Sequence, residues 1–155
     1  MASPQGSQKF GSELFIRSYD HDPGGTSATI TSTDGGTTLS YLDMSLYSHF
    51  GVNVKPSVLA GSGVTKVEIV ASAATSFSSV TVIKDSGTVA ADAIQDNVFQ
   101  ECSAEEIAQE GSDAGVALRY VAARITCQNA GDEAVVTYIA KPRFPRLDLT
   151  TNYIT

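Results

Sequence analysis

The residues able to do chemistry in this chain are few and scattered. Its 155 residues include two histidines, two cysteines and no tryptophan. The most suggestive group is Asp20-His21-Asp22, inside Tyr19-Asp20-His21-Asp22-Pro23-Gly24, where two carboxylates flank an imidazole and offer oxygen and nitrogen donors to a hard metal ion. The same residue types build Asx turns, in which a carboxylate accepts a bond from backbone just downstream. That second reading is preferred, and Asp20, His21 and Asp22 stand as the only metal candidates. His49 falls on the polar side of an alternating stretch and reads as an exposed sheet residue. Gly61-Ser62-Gly63-Val64-Thr65-Lys66 has the glycines of a phosphate loop but neither of its patterns. The Walker motif requires Gly-Lys-Ser/Thr after four spacer residues, and the dinucleotide motif requires a third glycine where Lys66 stands. A turn between strands is expected there instead. With no Gly-x-Ser-x-Gly elbow and no paired nucleophile and base, the sequence predicts no catalytic residue, no cofactor and no enzyme.

Charge points elsewhere. Glu101, Glu105, Glu106, Glu110 and Asp113 form an acidic run without an intervening base, and a solvated helix face is its simplest explanation. Lys141, Arg143 and Arg146 lie instead on a proline- and phenylalanine-bearing C-terminal stretch. An arm of that kind gains little from ordering in a monomer. Across a neighbour, Phe144 and Leu147 would serve as apolar anchors while Lys141, Arg143 and Arg146 meet Glu105, Glu106 and Glu110. The expectation is that this arm crosses the helix region of a second subunit or of a shell protein. The net charge of −7, with only ten Lys and Arg, argues against nucleic acid as a partner. No run of about 18 apolar residues suggests a membrane span, and Met1 to Gln8 has no basic start leading into an apolar stretch.

The elements that must position these groups read as strands. One domain fits the length, and 42% hydrophobic with 17% charged residues favours strands and turns. Residues 1–12 read as a flexible or extended N-terminal arm, 13–140 as a single β-sandwich domain and 141–155 as an extended C-terminal arm, because Pro142 and Pro145 exclude a central strand. Glu13 to Arg17 is the first strand candidate, and Ser18 to Ser40 a loop with a hairpin near Asp34-Gly35. Leu42, Met44, Leu46, Phe50, Val52 and Val54 alternate with polar neighbours, predicting one long strand over 42–54. Its phase puts Tyr47 with His49 on the wetter side, and Gly51 marks a bend between sheets. Strands follow at 64–71, 80–83 and 97–102. Ser103 and Glu106 have capping-box spacing, which predicts a short helix over 103–110 stopped by Gly111. From Val116 to Cys127 the alternation changes phase, as a bulge near Tyr120 or burial on both faces would produce. Asn129-Ala130-Gly131-Asp132 then suggests a hairpin turn into 133–140, with the two strands as sheet neighbours. Cys102 and Cys127 are too few for a disulfide scaffold and are expected as buried free thiols. The fold predicted is mainly β, an antiparallel sandwich or jelly roll with one short helix and extended arms.

Ser103-Ala104-Glu105-Glu106-Ile107, the stretch Leu118 to Thr126 and the segment Asp132 to Tyr138 resemble small β-rich virion structural proteins of tailed bacteriophages. The resemblance covers about the last third of the chain and is one of texture rather than of an exact motif. It implies a non-enzymatic capsid decoration or cement protein that binds the head shell, forms a homo-oligomer such as a trimer, and is assembled into virions in the host cytoplasm. A tail or connector ring component is the alternative, and so is a carbohydrate-binding sandwich in which Tyr19, Tyr41 and Tyr47 supply stacking platforms.

Overall fold

The computed structural model describes residues 14–33, 38–58, 63–88 and 97–143. In chain order the strands are β1 (Phe15–His21), β2 (Thr29–Ile30), β3 (Ser32–Thr33), β4 (Thr38–Leu39), β5 (Leu42–Asp43), β6 (Tyr47–Val58), β7 (Val64–Ser72), β8 (Thr81–Asp85), β9 (Val98–Ser103), β10 (Tyr120–Cys127) and β11 (Glu133–Pro142), with the helix α1 (Ala104–Ala114) between β9 and β10. They form two packed antiparallel sheets, one ordered β1-β11-β6-β9 and the other β2-β10-β7-β8 with β5 also on β10, and a separate two-stranded sheet of β3 and β4. The chain is therefore mainly β, a β-sandwich with a single short helix among the described residues.

The wiring has a simple origin. With β3, β4 and β5 set aside, the first strand pairs with the last, β1 with β11. The second pairs with the next to last, β2 with β10. β6 then pairs with β9, and β7 with its immediate successor β8. These are the pairings of one long hairpin. Rolling that hairpin up places β11 on β6 and β10 on β7, and the result is the strand order of a jelly roll.

The core lies between the sheets and is filled by alternate residues. Phe50, Val52 and Val54 of β6 and Ala134, Val136, Tyr138 and Ala140 of β11 meet Val67, Ile69 and Ala71 of β7 and Val121, Ala123 and Ile125 of β10. Tyr138 joins the two layers. Its ring is edge-on to Phe50 and Tyr19, at centroid distances of 5.0 and 5.1 Å. Its hydroxyl accepts from the Ala123 backbone N–H at 2.9 Å and donates to the Ser40 carbonyl at 3.0 Å. A smaller cluster of Val70, Phe77 and Ala122, with Tyr41 and Tyr120 against it, covers the outer face of β7 and β10. Burial on both faces therefore explains the changed phase before Cys127. The register of β10 on β7 shifts only at Thr126/Cys127, not near Tyr120.

Several expectations are corrected. The stretch 42–54 is not one strand. A turn at 44–46 separates β5, in the second sheet, from β6, in the first, and the register of β6 on β11 shifts at Ser48, so that Tyr47 is buried while His49 stays exposed. The change of sheet happens at this turn, not at Gly51, which pairs regularly on both sides within β6. A side chain at Gly51 would press on the Phe99 ring, whose Cζ lies 3.0 Å from the Cβ position. β1 runs on to His21, well past the expected end at Arg17. Residues 128–132 are not a hairpin, since β10 and β11 belong to opposite sheets. They form an arch, closed by the buried Asp132 carboxylate, which accepts from the backbone N–H of Asn129 at 2.8 Å and of Gly63 at 3.1 Å. β11 continues to Pro142 as a central strand. Pro142 is tolerated because it ends the strand beyond a register shift at Lys141/Pro142, where no ladder N–H is required. The expected hairpin at Asp34-Gly35 has its flanking strands β3 and β4 paired, while 34–37 themselves lie outside the described residues.

Candidate functional site

α1 sits where the sequence predicts but runs further. Ser103 is its N-cap, and the reciprocal bonds with Glu106 complete a capping box. Gly111 does not stop it. Gly111 is buried within the helix, and the stop is Gly115, whose φ of 68° is in the left-handed region. The N–H groups of Gly115 and Val116 return to the Ser112 and Gly111 carbonyls at 3.1 and 2.8 Å, closing a Schellman cap. Gly111 is a glycine because the chain folds straight back over it. A Cβ there would lie 2.5 Å from the Val116 carbonyl oxygen and 3.3 Å from Leu118 Cγ.

This return leaves an open apolar cleft along the helix. One part, about 350 Å³, is lined by Met44, Ile107, Ala108, Leu118, Arg119 and Arg143 among others. It continues past Gly111 and Val116 into a second part of about 430 Å³. Arg143, the last described residue, sits at the cleft, held by its own N–H to the Leu46 carbonyl at 2.9 Å and by Nε to the Tyr47 carbonyl at 3.1 Å. Across the cleft Arg119 grips Asp43 in a two-pronged bond, with contacts at 2.6, 3.0 and 3.1 Å, and lies over the Tyr120 ring. That guanidinium holds the Asp43 carboxyl well below its ordinary range, at about 2.

The acidic and basic candidates fall around this cleft in part. Glu105 and Glu110 are exposed on α1. Glu106 is engaged within the chain, bonded to Lys84 of β8 at 2.6 Å as well as to its cap. Lys141 is exposed on β11 and Arg143 lies at the cleft, so both belong to the folded body instead of an arm. Phe144, Arg146 and Leu147 lie outside the described residues.

The other candidates are dispersed. Asp20 and His21 point to opposite faces of β1, the first exposed and the second buried, and Asp22 accepts from the Gly24 N–H at 3.0 Å in an Asx turn. The three are not assembled as a metal site. Lys66 lies within β7, bonded to Glu68 and Asp85 at 2.9 and 2.8 Å, so it serves the sheet surface and no phosphate loop. Tyr19 and Tyr47 are both 6% exposed, and Tyr41 meets Tyr120 edge-on at 78°. Tyr19 and Tyr47 are therefore too buried to stack on a sugar ring, and Tyr41 is half-buried. Cys102 and Cys127 are free and buried, and burial pushes their thiols up to about 12 and about 11. Two features escape sequence reading. The half-buried network in which Glu68 takes both Lys66 and Arg124 is signalled only by the i, i+2 spacing of Lys66 and Glu68. The His21 ring, without a hydrogen-bond partner among the described residues, has no such signal, because its burial depends on β1 extending to its own position.

Comparison of the chain with protein-family models, with curated proteins and with solved structures finds no match in any of the three.

Proposed function

We propose that this chain is a non-enzymatic virion structural protein, of the capsid decoration or cement kind, which works by binding copies of itself and a head-shell protein. The observation that carries this reading is the apolar cleft beside α1 with Arg143 at its edge. The sequence that follows, from Phe144 to Thr155, contains Phe144, Leu147, Leu149 and Ile154. Delivered by a neighbouring copy, or matched by a shell protein, such residues have the chemistry to fill a cleft floored by Met44, Ile107 and Leu118, while Glu105 and Glu110 are exposed on the same helix for basic groups. The jelly-roll wiring supports the reading by analogy alone, because viral capsid domains share it with lectins and other families.

The test blocks the cleft without disturbing the helix. Ala108→Arg places a long side chain at an exposed, cleft-lining position and keeps a strong helix former. Light scattering on a sizing column should show an oligomer for the unaltered chain. It should show a smaller species for Ala108→Arg and for a chain ending at Arg143. A monomer for the unaltered chain, or an oligomer indifferent to both changes, removes the cleft from the account.

A further inference from the structure

Among the described residues β1 is an edge strand, joined within its sheet only to β11. His21 ends it on the inward face, opposite Ala134, and is 1% exposed. Neither ring nitrogen has a hydrogen-bond partner among the described residues. An imidazole can stay in such a place only while neutral, since burying an unpaired cation costs far more than burying an unpaired polar group.

Among the described residues, the ionisable groups around it do not supply a counter-charge in bonding contact. Asp22 is the nearby carboxylate that favours the imidazolium, but it is turned to the Gly24 N–H. Asp20 is on the opposite face of β1. Across the ladder β11 presents Ala134, with Glu133 and Val135 on either side pointing the other way. From β10 comes Cys127, a neutral thiol, and from the arch Asp132, committed to the N–H groups of Gly63 and Asn129. β3, which packs beside β1, consists of Ser32 and Thr33 and adds no charge.

We propose that His21 is an acid-sensitive latch, whose protonation releases β1 from β11 and opens this edge of the roll. Burial holds the His21 imidazole below its ordinary range, with Asp22 acting the other way. The ring is buried on the inward face at the end of β1, so lifting the C-terminal half of that strand exposes it to water. The released strand uncovers the backbone edge of β11, a ready acceptor for another strand. In the opened form the ring protonates with an ordinary pKa near 6.5, so the opened fraction grows by up to about tenfold for each pH unit below that.

Hydrogen exchange followed by mass spectrometry tests this, comparing about pH 7.5 with about pH 5 after correction for intrinsic exchange rates. Peptides covering 15–21 should lose protection by up to about 30-fold at the lower pH, while those covering 98–103, on the opposite edge, hold theirs. His21→Leu should abolish the difference. Equal protection at both pH values, a loss shared equally by both edges, or a loss that persists in His21→Leu overturns the proposal. Should that variant fail to fold, the wild-type imidazole titrated by NMR decides. A pKa clearly below 6.5 is expected, and one at or above 6.5 overturns the latch.

Discussion

Tyr138 shows how much one side chain can carry in this fold. It lies in the four-stranded sheet containing β11, yet its hydroxyl serves the backbone of Ala123 in the opposite sheet and of Ser40 before β5. Tyr138→Phe keeps the ring contacts and orphans both backbone groups, so stability should fall by about 2–4 kcal/mol, read as a lower urea midpoint at unchanged slope. Asp43 makes a pH prediction. Arg119 holds its carboxyl at about 2 in the folded chain against an ordinary 3.8. The folded state therefore binds fewer protons than the unfolded one between these values, and the pairing stabilises fully above about pH 4 and is lost as pH falls toward 2. Asp43→Asn should flatten that part of the stability profile. Because Arg119 is more than half exposed, the loss at neutral pH should be at most about 1 kcal/mol. At this scale the sequence is readable where the chemistry is local. The Asx turn of Asp22 and the exposure of His49 follow from neighbours, whereas the burial of Tyr47 and His21 depends on distant strands.

Among the elements, the helix is the most legible. Its capping box is a four-residue signal, and Ser103→Ala should cost about 1 kcal/mol, seen as a lowered thermal midpoint with the fold retained by circular dichroism. Its end is misplaced in the sequence reading because Gly111 and Gly115 are equivalent there, and only the return of Val116 and Leu118 across the helix assigns one to close packing and the other to the left-handed stop. β7, β8 and β9 lie within a few residues of their expected places, since their apolar runs are bounded by clear turn signals. The segment at 128–132 reads as a hairpin because Asn-Ala-Gly-Asp suits a tight turn equally well. What makes it an arch is the Asp132 carboxylate reaching Gly63, a contact 69 residues away in the chain. The bulge that admits Pro142 at the end of β11 is equally a property of its partner strand, β6.

For the molecule as a whole, the class of fold is legible in the spacing of strands and turns, but the rolled-up hairpin is not, because pairs such as β1 with β11 join residues more than a hundred positions apart. The cleft beside α1 is a product of that wiring, bringing Met44, Ile107, Leu118 and Arg143 together from four separate segments. Its proposed role in assembly has a direct measurement, co-sedimentation of the purified chain with empty capsid shells, scored for bound copies by quantitative gel. The account predicts saturable binding by the unaltered chain and a loss of at least about tenfold in affinity for Ala108→Arg, the equivalent of about 1.4 kcal/mol. A strict monomer that stays in the supernatant at every shell concentration would contradict it.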